Sequence, residues 1–465
     1  MSSCYKSYSI TNDVMATASE EYPAEPVNIL SREMRLLKQG VWIYFLLLVF
    51  EGALRKWILP GLATPLLVIR DPIAIWLIIK SLKRGLLTVN FYLFMMVLIG
   101  LVGLFTALFF GHGNFLVAAF GARILLIHFP LIFVIGKIFT RADVIKMGKA
   151  CLWISIPMTV LLALQFYSPQ TAWVNRGIGG DMTGAGFSGA LGFYRPSATF
   201  SFTNGTSLFY GFCAPFIVYF WLEKGINKII LIGAAISLLA AIPLSISRGL
   251  FFSVTVTMIF ASIIILRKPK YIGRMIFIGM GIMIAMMFLS KASFFQTATQ
   301  AFSNRFETAN EQEGGVKGVL VDRYLGGMAG VLTQSAELPF FGYGLGMGTN
   351  VGGMLLSGKR EFLISEGEWG RVIGEMGTIM GLMIIFLRLA LSIKISIACY
   401  KKLMMGDLLP WILLSFGLLN LPQGSWSQPT SLGFCVLTGG LIIAALQEVP
   451  EQQEDLTEQN EYSFI

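Results

Sequence analysis

Windows of about 20 consecutive apolar residues recur from Val41 almost to the C-terminus, each long enough to cross the ~30 Å hydrocarbon core of a bilayer as a helix. With 55% hydrophobic and 13% charged residues and a mean hydropathy of +0.71, the 465-residue chain is too apolar for a soluble domain. It reads as an all-α polytopic membrane protein. Twelve transmembrane helices are expected, at about 41–59, 62–79, 88–110, 115–136, 150–167, 204–222, 227–243, 249–266, 272–290, 371–392, 408–421 and 430–447. Residues 1–40 read as a disordered cytoplasmic tail. The start has no basic region followed by an apolar stretch, so no cleavable signal peptide is expected. Residues 448–465 form an acidic tail.

A net charge of +9 would point a soluble protein towards nucleic acid. Here the placement of charge matters more than its sum. KSLKR at 80–84, RKPKYIGR at 267–274 and the group Lys394, Lys401 and Lys402 all fall on one side of the expected topology. Basic loops face the cytoplasm, which puts both termini there and excludes nucleic acid as the natural partner. The opposite, external side then receives two long segments, 168–203 and 291–370, too polar and glycine-rich to span. Loops of that length usually carry function. Within the second, SFFQTATQAFSNRFETA and VLVDRYLGGMAGVLTQSAEL have amphipathic spacing and read as helices lying along the membrane surface.

Several charges need a reason. LSISRGLFFS places Arg248 in a short external turn between two apolar runs, where it either snorkels to the interface or faces an internal cavity. RPSATFSFTNGTSLFYGF opens the sixth span with Arg195 and a cluster of small polar residues, suited to capping a helix or to presenting N–H groups to an anion. Arg323, in VDRYLGG, lies on the second amphipathic stretch. ISEGEWGRVIGEMG crowds Glu366, Glu368, Arg371 and Glu375 at the entry to the tenth span. These carboxylates are either solvated or, if partly buried, available as a general base. Glu51 and Arg55 in FEGALRKW share a helix face, and Lys56, Arg70, Asp71 and Arg123 sit near or within spans; these read as structural glue between the first two spans, with ligand contact as the alternative. The glycines of PFFGYGLGMGTN have the wrong spacing for a dinucleotide loop.

Five cysteines show no CxxC pairing, and His112 and His128 have no partners for a metal centre. Neither a metal nor a cofactor is expected. No DxD occurs, so a phosphorylated substrate would be held by arginines rather than by a metal on paired aspartates.

This combination resembles the bacterial O-antigen ligase and O-antigen polymerase (Wzy-type) superfamily. The matching pieces are RPSATFSFTN, SRGLFFS, and DRY followed by PFFGYGLG on the same external side. FEGALRKW followed by RDP resembles a subset of exopolysaccharide-polymerase-like members. The likeness covers roughly residues 40–445. It implies a GT-C-like fold in the bacterial plasma membrane. It also implies metal-independent transfer of an undecaprenyl diphosphate-linked oligosaccharide on the periplasmic face, in surface polysaccharide synthesis. Membrane lipids, and a chain-length regulator or export complex, would be the other partners. Arg195 and Arg248 would match the family's diphosphate-binding arginines, and Arg323 an arginine of the large loop. The ligases carry a histidine in that loop; none occurs between 291 and 370 here. That departure favours a polymerase and leaves Glu366 or Glu368 as the base. An O-antigen ligase of the same superfamily, and a twelve-span secondary transporter or lipid-linked glycan flippase, are the competing readings.

Overall fold

The structure, a computed structural model, describes residues 25–185, 187–223, 225–312, 338–359, 362–365 and 367–447. The described residues are helical, with one isolated antiparallel bridge between Ser188 and Tyr194. In chain order the helices are α1 (Glu25–Ala53), α2 (Arg70–Lys83), α3 (Phe91–Phe109), α4 (Phe115–Arg123), α5 (Phe129–Ile138), α6 (Arg141–Tyr167), α7 (Thr203–Leu222), α8 (Lys228–Leu244), α9 (Arg248–Arg267), α10 (Ile272–Leu289), α11 (Ser293–Gln312), α12 (Asn350–Ser357), α13 (Glu368–Met405), α14 (Leu409–Gln423) and α15 (Pro429–Leu446).

Nine helices among the described residues are long and apolar enough to cross a membrane. Three of the twelve expected spans fall instead on shorter helices: α2 with 14 residues, α8 with 17 and α14 with 15. Two boundaries differ from expectation. α1 starts at Glu25, well before Val41, because Leu37 already packs into the core. The second span starts only at Arg70. Pro60 and Pro65, each without an N–H to continue a helix, shape the preceding residues into two 3₁₀ turns.

α15 is the axis of the bundle, buried along its length and packed against α5, α6, α7 and α14. At the end of the bundle where α6 begins, Lys38 pairs with Asp143 at 2.6 Å and Arg141 with Asp407 at 2.5 Å. On the periphery, α10 exposes Phe277, Met283 and Phe288, as a lipid-facing helix should.

Two π turns interrupt the long helices, at Leu54–Ile58 and Ile124–His128. Such turns are uncommon and often mark functional positions. α13 is broken at Gly377, whose φ of 76° and ψ of 169° no helix contains. A side chain there would strike the carbonyl oxygen of Phe340, so the chain can pass only with glycine. The segment 368–376 folds back along 378–405, so the candidate span Glu368–Met405, expected over 371–392, consists of two helices joined at the break. Arg388 lies about 16 Å of helix rise beyond Gly377, yet its Nη1 reaches Glu368 at 2.7 Å. The first helix of α13 therefore runs back alongside the second, bringing Glu368 level with Arg388.

Candidate functional site

The two arginine motifs singled out in the sequence meet. Ser247 caps α9 by accepting from Leu250 N at 3.3 Å, and Ser207, one turn into α7, donates its hydroxyl to Ser247 Oγ at 2.7 Å. Arg248 is the first residue of α9 and half-buried; Arg195, also half-buried, ends the bridged hairpin that leads into α7. Gly189 of that hairpin is packed against Ile246 of the turn. α11 closes over both segments: Arg305 Nη1 donates to Gly189 O at 3.1 Å, while Phe302 and Phe306 pack on Phe251 at ring separations of 6.1 and 6.3 Å.

Three non-glycine residues among those described have left-handed backbone: Leu191 (φ 53°), Ala198 (φ 48°) and Ile246 (φ 47°). All three flank Arg195 or Arg248. For a β-branched residue such as Ile246 this conformation is a genuine outlier. Strain of this kind costs about 1–3 kcal/mol per residue and persists only where the surroundings enforce it; it concentrates at functional sites.

Around Ala198 the enforcement is visible. Its N–H donates to Gln165 Oε1 at 2.7 Å, and its carbonyl accepts from Lys56 Nζ at 2.6 Å and Gln165 Nε2 at 3.3 Å. The π turn after α1 supplies the rest of a clamp. Lys56 Nζ donates to Ser197 Oγ at 3.0 Å and Arg55 Nη1 to Ser201 Oγ at 2.8 Å, while in α1 itself Val49 O accepts from Thr199 Oγ1 at 2.7 Å. Gly52 of α1 lies so close to the backbone of Phe200 and Ser201 that any side chain would collide with it. FEGALRKW thus holds RPSATFSF, a relationship across more than 140 residues.

The ionic glue expected within FEGALRKW and RDP is present. Glu51 accepts from Arg55 Nη1 at 3.3 Å and pairs with Arg70 Nε at 3.6 Å. Asp71 accepts two hydrogen bonds from Arg123 Nη1, at 3.0 and 2.9 Å, and one from His128 Nε2 at 2.9 Å. With Nε2 donating, Nδ1 of the neutral imidazole accepts from the Tyr44 hydroxyl at 3.3 Å. The other histidine, His112, donates from Nε2 to Leu345 O at 3.1 Å and so fastens the glycine-rich loop to the turn after α3.

Glu368, expected as a candidate base, is buried in a four-residue network. Its carboxylate accepts from Arg371 Nε at 3.2 Å, Arg371 Nη2 at 2.8 Å, Arg388 Nη1 at 2.7 Å and Trp426 N at 3.0 Å. Four hydrogen bonds fill its lone-pair sites. Arg371 Nη1 also donates to Glu375 at 2.5 Å, and the second oxygen of Glu375 accepts from Gly348 N at 2.8 Å. Two carboxylates and two guanidiniums make the set neutral, the condition under which buried charges are tolerated. Arg388 completes its shell with Leu421 O at 3.2 Å, Gly424 O at 3.3 Å and the face of Trp426, 4.1 Å from the ring centre.

The turn QGSWSQP between α14 and α15 joins these clusters. Besides the contacts to Glu368 and Arg388, Pro429 O accepts from Arg70 Nη2 at 2.5 Å, and Gln428 Oε1 accepts from Asn204 Nδ2 at 3.3 Å. Neither this turn nor Arg388, a lone charge inside an apolar run, was marked out by the sequence. Their only sequence signal is polarity where a span should be featureless. Nor was Arg305 marked, although it sits on the amphipathic stretch that became α11.

Arg323 and Glu366 lie outside the described residues. Of the aromatic residues in and next to the glycine-rich segment before α13, Trp369 donates its indole N–H to Pro422 O at 3.0 Å, Phe341 packs on Phe110, and Tyr343 is exposed. Comparison of the chain with protein-family models, with curated proteins and with solved structures finds no match in any of the three.

Proposed function

We propose that the chain is a membrane glycosyltransferase that extends or transfers an undecaprenyl diphosphate-linked glycan at the external face of the bacterial plasma membrane. In this reading the three shorter helices also cross, giving twelve spans of GT-C-like arrangement with both termini in the cytoplasm. The observation that carries the reading is the meeting of the Arg195 and Arg248 motifs, through the Gly189–Ile246 packing and the Ser207–Ser247 hydrogen bond, with left-handed non-glycine backbone beside both arginines. An acceptor sugar hydroxyl would attack the anomeric carbon of the donor as the bond to the diphosphate breaks. The negative charge left on the diphosphate is what Arg195 and Arg248 would stabilise, because guanidinium stays ionised near lipid and presents a planar fork to phosphate oxygens. The hydroxyl proton needs a base. Glu368, with its lone pairs filled, is assigned to the structural network; Glu366 keeps the role of candidate base, and Arg323 that of a third phosphate contact. The likeness to the O-antigen polymerase and ligase superfamily supports this chemistry, and the absence of a histidine between 291 and 370 favours the polymerase.

One observation favours a second reading. A helix broken at Gly377 with charges deep in the bundle is the kind of element from which secondary transporters build midplane sites. Reconstitution in liposomes with a fluorescent lipid-diphosphate oligosaccharide separates the two. Longer glycan products without ATP support the transferase. Transbilayer movement of the lipid without new glycosidic bonds supports the transporter or flippase.

A further inference from the structure

Arg55, Lys56 and Arg70 are three buried basic residues, at the end of the first span and the start of α2. Glu51 pairs with Arg55 and Arg70, and Asp71 is taken by Arg123. Lys56 is the cation for which this region supplies no carboxylate. Its ammonium, on a residue only 1% exposed, donates instead to Ser197 Oγ and Ala198 O. A neutral donor of similar reach could make the same two hydrogen bonds without the cost of burying a charge. What Lys56 holds is the loop that carries Arg195.

We propose that Lys56 is a positioning residue of the Arg195 loop with two separable effects. Its hydrogen bonds, together with those of Gln165, keep Ala198 left-handed and so fix the path of the loop between Arg195 and α7. When protonated, its ammonium, over the Trp57 ring at 4.7 Å and with no carboxylate bridged to it among the described residues, makes that loop a better seat for an anion. The second effect rests on the proposed diphosphate binding at Arg195; the first does not. Acting through the loop, Lys56 touches neither donor nor acceptor.

Three substitutions in the full-length protein, reconstituted in nanodiscs, separate the effects. Lys56→Arg keeps the charge, Lys56→Gln keeps a donor without charge, and Lys56→Met removes both. Amide hydrogen exchange over residues 195–203 reports the loop, with α15 as the internal reference for global folding. Lys56→Met is expected to lose protection in the loop by about tenfold or more while α15 is unchanged, and Lys56→Gln to retain most of it. For a lipid-diphosphate donor, Lys56→Gln is expected to raise KM about tenfold with kcat nearly unchanged, the scale of one buried charge lost near an anion, and Lys56→Arg to restore it. Loop protection in Lys56→Met equal to wild type overturns the positioning role. A wild-type KM in Lys56→Gln overturns the electrostatic one. If wild-type protein turns over no such donor, the transferase reading and the electrostatic role fail together, while the exchange experiment still decides the positioning role. Should Lys56→Met fail to fold, Ala198→Gly decides it. Glycine adopts the left-handed backbone freely, so Lys56→Met folds with its loop protected in that background if Lys56 acts by enforcing Ala198; failure to fold in both backgrounds contradicts the role.

Discussion

Glu368 and Arg388 are twenty residues apart on what is continuous helix in all but one position, and their side chains are 2.7 Å apart. The reversal at Gly377 makes this possible. Replacing Gly377 by alanine forces a side chain into a left-handed backbone and into the Phe340 carbonyl. The expected cost exceeds ~1 kcal/mol, read as a lower thermal midpoint of the detergent-purified protein and a loss of monodispersity. A Gly377→Ala protein as stable as wild type contradicts the chain reversal at Gly377.

Arg388 balances Glu368 in a site closed to water. Arg388→Met should destabilise by about 3–5 kcal/mol, because it leaves a buried carboxylate short of one counter-charge. Combining it with Glu368→Gln should cost less than the sum of the two, by about 0.5–3 kcal/mol, as for any directly coupled pair. Strict additivity in this cycle, measured by denaturant unfolding, contradicts the contact.

Ser247 both caps α9 and ties the Arg248 turn to α7. Loss of the cap in Ser247→Ala should cost about 1 kcal/mol of stability. Transfer activity should fall further, by about tenfold or more in kcat/KM, since misplacing a group that stabilises developing charge is penalised steeply. An activity loss no greater than the stability loss predicts would separate the turn from the reaction.

Orientation has its own test. Asp181 lies exposed in the loop between α6 and α7, and Lys83 is exposed at the end of α2; the proposed topology puts them on opposite sides of the membrane. In an otherwise cysteine-free background, Asp181→Cys should react with a membrane-impermeant maleimide on spheroplasts. Lys83→Cys should react only after permeabilisation. The reverse pattern would turn the whole topology over.

The helices were legible because a bilayer demands long apolar runs, and such runs survive any choice among Leu, Ile, Val, Phe and Met. Arg195 and Arg248 were legible for the complementary reason: a charge at the edge of an apolar run needs an explanation. What stayed hidden is long-range or local. The segment 368–376 is too short for a span-length window to notice, and its neighbour Gly377 resembles every other glycine near it until its φ is known. Glu368 looked like a surface carboxylate because its partners Arg388 and Trp426 are 20 and 58 residues away. Lys56 and Ala198 are 142 residues apart, and no local pattern announces that one fixes the backbone of the other.

The most direct measurement of the proposed reaction is single-turnover transfer by the reconstituted protein supplied with a lipid-diphosphate oligosaccharide, following new glycan length and released lipid diphosphate together. Wild type should form both in equal amounts without ATP. Arg248→Ala and Arg195→Ala should each slow the step by about a hundredfold or more, the usual scale for removing one stabiliser of developing negative charge. Wild-type rates in both variants would contradict the assignment of these arginines to the diphosphate.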